Sequence, residues 1–205
     1  MEEIIGRLIG DDRLARQLEF ILEIDRLKSV LRRTYLLSGE RRENSAEHSW
    51  HIAAMALILE EYANEPVDIL RVLKLALVHD IVEIDADDTF CYDEGAIATK
   101  AEREQRAATR IFGLLPDDQQ GEVRGLWDEY EAGDTQESKF ANALDRLMPI
   151  LHNCCAGGRS WRENGIRRSQ VLARNRHAAD GSERLWAFIR QLVDAAVERG
   201  YLLDD

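Results

Sequence analysis

Between residues 69 and 82 the chain reads Ile-Leu-Arg-Val-Leu-Lys-Leu-Ala-Leu-Val-His-Asp-Ile-Val, an apolar run that ends beside two adjacent ionisable groups, His79 and Asp80. Apolar and polar residues do not alternate here as a strand would require. On a helix, positions 69, 73, 76 and 80 share one stripe, and 72, 75, 76 and 79 an overlapping one. A helix this apolar must be packed on most sides, so His79 and Asp80 project from a surface withdrawn from water. An unpartnered carboxylate there costs several kcal/mol. Glu83 follows four residues after His79 and three after Asp80, within reach of whatever that pair holds. A structural ion pair would need a matching base, yet the acids that follow, Asp85, Asp87 and Asp88, only add negative charge. Such a concentration of anions calls for a cation.

The remaining segments also read as helices joined by short breaks. Leu14 to Leu31 carries helical periodicity, and the polar stretch Ser38 to Asn44 interrupts it. Ser45 then precedes a helix running through Tyr62. Pro66 fits a first helical position, with Asn64 or Glu65 as cap. Asp85 to Gly95 reads as an acidic loop, and Thr99 to Phe112 as a helix stopped by Gly113 and Pro116. A further helix runs to about Ala132, and another, capped by Asp134 or Thr135, to about Asn153. Cys154 to Gly165 is expected to be a loop, followed by helices from about Arg167 to Arg176 and Ser182 to Arg199. No stretch alternates strongly enough to predict a strand. With only three prolines in 205 residues, the expectation is an all-α fold, a single-domain helical bundle covering residues 1–205.

Two further residues join the candidate site. In the helix from Ser45, positions 48, 52, 55, 59 and 62 form one stripe, which puts His48 near the centre of the buried face. A lone histidine there is more often satisfied by a backbone carbonyl than by a metal. His51, one turn on, points toward the edge of the same stripe. Asp145 lies on the flank of a helix whose apolar stripe is Phe140, Leu144, Leu147 and Leu151. Pairing with Arg146 or Lys139 as a surface acid competes with a site role. Pro149, four residues later, has no N–H to offer the Asp145 carbonyl, which favours the site role. Two histidines and two carboxylates would suit a borderline divalent metal better than calcium.

The formal net charge of −12 opposes binding to long nucleic acids but leaves room for a small phosphorylated ligand at a locally basic site. Arg26, Lys28, Arg32, Arg33, Arg41 and Arg42 gather ahead of His48. Cys91, Cys154 and Cys155 form no CxxC pair and are expected to be reduced thiols. The acidic start, Met-Glu-Glu-Ile-Ile, is unlike a signal peptide, and no apolar stretch has transmembrane length. The expectation is a cytoplasmic protein with no membrane partner.

The order His48, His79-Asp80, Asp145 on helices resembles the HD superfamily of metal-dependent phosphohydrolases. The strings Arg-Arg-Glu-Asn-Ser-Ala-Glu-His-Ser-Trp-His (41–51) and Val-His-Asp-Ile-Val-Glu-Ile-Asp-Ala-Asp-Asp-Thr-Phe (78–90) are similar to the branch containing the bacterial 5′-deoxynucleotidases and the human HD-domain-containing protein 2 type. The resemblance covers roughly residues 20–200. It implies an HD-type helical bundle in which His48, His79, Asp80 and Asp145 bind one divalent metal ion (Co, Mn, Mg, Ni, Fe or Zn). It gives Glu83 and Asp88 catalytic roles with water and substrate. It also implies an arginine on the substrate phosphate, for which Arg32 and Arg33 compete, with Arg32 favoured. The usual Gly-Asp after the HD block stands here as Asp87-Asp88, and His51 has no ligand role. The implied activity is hydrolysis of (deoxy)nucleoside 5′-monophosphates, by a protein that is often a homodimer. Alternatives are a cyclic nucleotide, a nucleoside triphosphate or a sugar phosphate as substrate, or a regulatory module without turnover. A di-iron oxygenase would need more histidines than His152 and His177 convincingly supply.

Overall fold

The computed structural model describes residues 12–205, so the N-terminal acidic segment lies outside the described residues. The first helix, α1 (Asp12–Ile24), passes into a 3-10 turn (Asp25–Ser29). A short antiparallel hairpin follows, β1 (Leu31–Tyr35) and β2 (Arg42–Asn44), pairing Leu31 with Asn44 and Tyr35 with Arg42 around an irregularity. This corrects the expectation of helix through Leu31. The strands carry Leu-Arg-Arg-Thr-Tyr and Arg-Glu-Asn, too short and too charged to show a period of two. The hairpin is a small exception within an otherwise all-α architecture.

Helix α2 (Ser45–Leu59) leaves the hairpin through a capping box: the Asn44 side chain accepts from the Glu47 N–H at 2.9 Å, and Glu47 reaches back to the Asn44 N–H at 3.3 Å. Helix α3 (Ile69–Val78) is the apolar run, and its cap is Asp68, not Asn64 or Glu65. The Asp68 carboxylate accepts from the N–H groups of Leu70 and Arg71, which a residue placed before Pro66 is too far back to do. After a turn come α4 (Glu83–Ala86), α5 (Glu94–Ala98), α6 (Lys100–Phe112) and α7 (Asp117–Ala132). Gly133 ends α7 in the left-handed conformation (φ 64°). Thr135 caps α8 (Gln136–Cys155), which runs through Pro149 and two residues past the expected end. The expected loop 154–165 contains a helix, α9 (Arg159–Asn164), and α10 (Arg168–Asn175), α11 (Ala178–Gly181) and α12 (Glu183–Glu198) close the chain.

Helix α8 is the axis of the fold, packing against α2, α3, α7, α11 and α12. Its buried side chains include Phe140, Leu144, Leu147, Met148 and Ile150, each stabilising by about 1.5–3 kcal/mol. They join Ile52 and Ala56 of α2, Val72 and Leu75 of α3, and Ile189 and Val193 of α12 in the main core. A second core holds Ile81, Val82, Ile84, Ile111, Phe112 and Trp127. His79 and Asp80 lie where the chain passes from the first core to the second, and Glu83 follows between Val82 and Ile84 of the second. Gly181 lets α11 lie directly on α8, because a Cβ there would sit 2.8 Å from the Phe140 nitrogen and closer still to the Lys139 carbonyl. Among the described residues the three cysteines are free, and no helix is long and apolar enough to cross a membrane.

Candidate metal centre

Four helical segments and the hairpin deliver the ionisable groups to one place. His48 comes from α2, His79 and Asp80 from the end of α3, Glu83 from α4, Asp145 from α8 and Arg32 from β1. His48 is fully buried, and His79, Asp80, Glu83 and Asp145 are each at most 7% exposed. Nε2 of His48 lies 2.8 Å from Oδ1 of Asp145 and 3.9 Å from Oδ2 of Asp80. His48, His79 and Asp145 bring one ligand atom each to within 4.8 Å of one another. Asp80 borders this trio, with Oδ1 3.0 Å from Nε2 of His79.

The donor set fits a divalent cation. His79 donates from Nδ1 to the Ala76 carbonyl at 2.8 Å, which fixes the tautomer and turns the Nε2 lone pair toward Asp80 and Asp145. That Nε2 is buried and has no hydrogen-bond partner, an orphan that a metal ion would satisfy. Burial holds His79 below the usual histidine range, so its imidazole is neutral and ready to ligate. For His48, burial and the Arg32 charge also act to lower the pKa, but the Asp145 and Glu43 carboxylates prevail and raise it. Asp145 is buried, yet Arg146 and His48 hold its carboxyl well below the usual range. The Arg146 contact at 3.2 Å belongs to the site wall and not to the surface, which disposes of Asp145 as a surface acid.

Arg32 stands among the acids. Its Nη1 is 2.8 Å from Oδ2 of Asp80 and 3.9 Å from Oδ1 of Asp88, and its Nη2 is 4.0 Å from Oδ1 of Asp145. Arg33, the other candidate, is exposed and lies over the Phe90 ring, 5.6 Å from its centroid. Both line the same cavity as His79, Asp80, Glu83, Asp88 and Asp145. Glu83 accepts from Ser45 Oγ at 2.6 Å. Its carboxyl titrates well above the ordinary value because of burial and the neighbouring Asp80 and Asp88 charges. Asp88 is raised as well, by burial foremost, against the pull of Arg32. Asp87, where the resembling pattern has glycine, adopts φ 59°, ψ 155°. Held by a residue with a Cβ, that conformation costs roughly 1–3 kcal/mol.

Several site groups escaped the sequence. Lys100, Tyr130, Arg146 and Arg174 also line the cavity, and the Tyr130 ring lies 4.7 Å from that of His79. They come from α6, α7, α8 and α10 and share no spacing that links them. Glu43, 2% exposed, sits behind His48 with Oε2 3.5 Å from Nδ1. Flanked by Arg42 and Asn44, it carries no sign of burial in the sequence.

These features define a helical domain organised around a buried cluster of histidines and carboxylates with the composition of a divalent-metal centre. The chain belongs to the HD domain family, whose model matches residues 24–186. It is similar to the 5′-deoxynucleotidase HDDC2 of Bos taurus (34% identity, 65% of this chain and 64% of that protein) and to that of Homo sapiens (33% identity, 65% of each). The matched part thus spans just under two thirds of the length of these relatives. A 5′-deoxynucleotidase of Yersinia pestis is 28% identical over 75% of this chain and 83% of its own. Among solved structures, a predicted metal-dependent phosphohydrolase from Magnetospirillum magnetotacticum MS-1 superposes with a TM-score of 0.90 at 54% identity, covering 95% of this chain and 98% of that one. A conserved hypothetical protein from Pyrococcus furiosus shares the fold (TM-score 0.58, 20% identity, 88% of this chain and 99% of that one).

Proposed function

We propose that this chain is a metal-dependent phosphomonoesterase that hydrolyses (deoxy)nucleoside 5′-monophosphates to nucleoside and phosphate. The observation that carries the reading is the orphaned Nε2 of His79 facing Asp80 and Asp145, with Glu83 and Arg32 opening on the same cavity. His48, His79, Asp80 and Asp145 would hold the ion, which supplies Lewis acidity toward a phosphoryl oxygen and acidifies water. Glu83 takes the proton of the attacking water. The water oxygen bonds to phosphorus as the P–O5′ bond breaks, and the O5′ oxygen leaves as the nucleoside hydroxyl once protonated. A carboxylate with a raised pKa suits this task, because it is a stronger base than an ordinary glutamate and can return the proton to O5′. Arg32 and Arg33 offset the phosphate charge. Asp88, whose Oδ1 lies 3.9 Å from Nη1 of Arg32, orients the substrate or the water.

The acids that crowd the cavity favour a monophosphate over a more highly charged triphosphate. The names carried by the bovine, human and Yersinia relatives support a nucleotide as the substrate class. The test is a matrix of Co, Mn, Mg, Ni and Zn against nucleoside 5′-monophosphates, 3′-monophosphates, cyclic nucleotides, triphosphates and sugar phosphates, reading released phosphate from chelated and reloaded protein. Metal-dependent release from 5′-monophosphates is expected. No release from any phosphoester with any metal would end the hydrolase reading, and preference for another phosphoester would reassign the substrate.

A further inference from the structure

We propose that Glu43, His51 and His152 form a second divalent-metal site, separate from the one described above and adjoining it through Glu43. The three residues come from β2, α2 and α8 and bring one ligand atom each to within 4.8 Å of one another. His152 is 4% exposed and Glu43 2%. Neither ring nitrogen of His152 has a hydrogen-bond partner, nor does Oε2 of Glu43. The Tyr35 backbone interacts with His152 electrostatically but falls short of hydrogen-bond geometry. A buried imidazole with both nitrogens idle is rare, because each idle group forfeits its hydration without replacement. The rings of His51 and His152 are tilted by 48° with centroids 5.7 Å apart, and Nδ1 of His152 lies 4.0 Å from Oε1 of Glu43.

Two imidazoles and one carboxylate with a position left open match the donor preferences of zinc, cobalt or nickel. Ligand atoms bound at about 2.1 Å around a tetrahedral centre stand about 3.4 Å apart, so from separations within 4.8 Å the trio must close by up to about 1.4 Å. His51 is half-buried and the least enclosed of the three. Glu43 turns Oε1 toward His152 and Oε2 toward Nδ1 of His48. A cation drawing on Glu43 is therefore felt at the imidazole expected to serve the first site. His51 and His152 have no part in the catalytic reading, which leaves the two sites separable by mutation.

Equilibrium dialysis of chelated full-length protein against Co(II), with metal content and visible d–d absorption as readouts, decides the matter. The wild type is expected to take up two equivalents, and His51→Ala and His152→Gln to lose one, with affinity for that equivalent reduced at least about tenfold. His79→Ala should lose the other and keep the absorption of the Glu43 site, and the His51→Ala/His79→Ala double variant should lose both. If His152→Gln does not fold, the half-buried His51→Ala still decides. Uptake in His51→Ala identical to the wild type, whether of one equivalent or two, overturns the proposal. A single equivalent that His51→Ala abolishes and His79→Ala retains would support this site while refuting the first.

Discussion

Replacing Glu83 by Gln should move stability and activity in opposite directions. The carboxyl is 6% exposed, accepts a hydrogen bond from Ser45 Oγ, and faces the Asp80 and Asp88 charges that, with burial, raise its pKa well above the ordinary value. In metal-free protein an acid shifted this way is most favourable to folding below the unfolded value of about 4.3, and that contribution is lost as pH rises through the folded value. At neutral pH the carboxyl therefore costs the fold stability, since burial and the Asp80 and Asp88 charges oppose its ionisation. Gln keeps the shape and an acceptor for Ser45 while removing the charge. In chelator the variant is expected to be more stable by about 1 kcal/mol, a rise in Tm of about 2–4 °C for a chain of this size. The gain should vanish below about pH 4.3, where both residues are neutral in both states. Activity should fall by about 10²–10⁴, or roughly 2.7–5.5 kcal/mol in the barrier, since the amide accepts no proton. Differential scanning fluorimetry from pH 4 to 8 in chelator, beside phosphate release with metal, measures both. A lower Tm at neutral pH would show that Glu83 is a structural partner, and unchanged turnover would remove it as the base.

Two other substitutions test how the fold holds the site. Gly181→Ala should cost about 3 kcal/mol or more, because its Cβ would meet backbone of α8 on both sides of the Lys139–Phe140 peptide. Gly125→Ala, in open space on α7, should instead gain up to about 1 kcal/mol from helix propensity, and equal Tm values for the pair would refute the close approach. Asp87→Gly should stabilise by about 1 kcal/mol by relieving the positive φ. A fall in denaturation midpoint would mean that the Asp87 side chain holds the turn.

Much of the centre could be read from the sequence because the chain's own chemistry exposes it. An apolar helix cannot carry His79 and Asp80 at its end without partners, and His48 at the centre of an apolar stripe had to be buried once that stripe was. The cap at Asp134 or Thr135, which the structure assigns to Thr135, and the stop at Gly133 are likewise local properties of the backbone. The hairpin was not legible, since its strands owe their pairing to the α9 and α2 surfaces they rest on and not to an alternating pattern. Asp68 won the cap of α3 only because the chain after Pro66 stays extended for two more residues.

What the sequence determined by itself is which helical faces must be hidden, because periodicity fixes the face of each helix and hydration fixes the cost of hiding a charge. What tertiary structure alone decided is which hidden groups meet. Arg32 reaches Asp80, Asp88 and Asp145 only because the hairpin folds over the end of α3. Glu43 stands between His48 and His152 only because β2 runs into α2 and α8 passes beside them. Those encounters join positions up to about a hundred residues apart. No local period encodes them, since they follow from the packing of whole helices around α8.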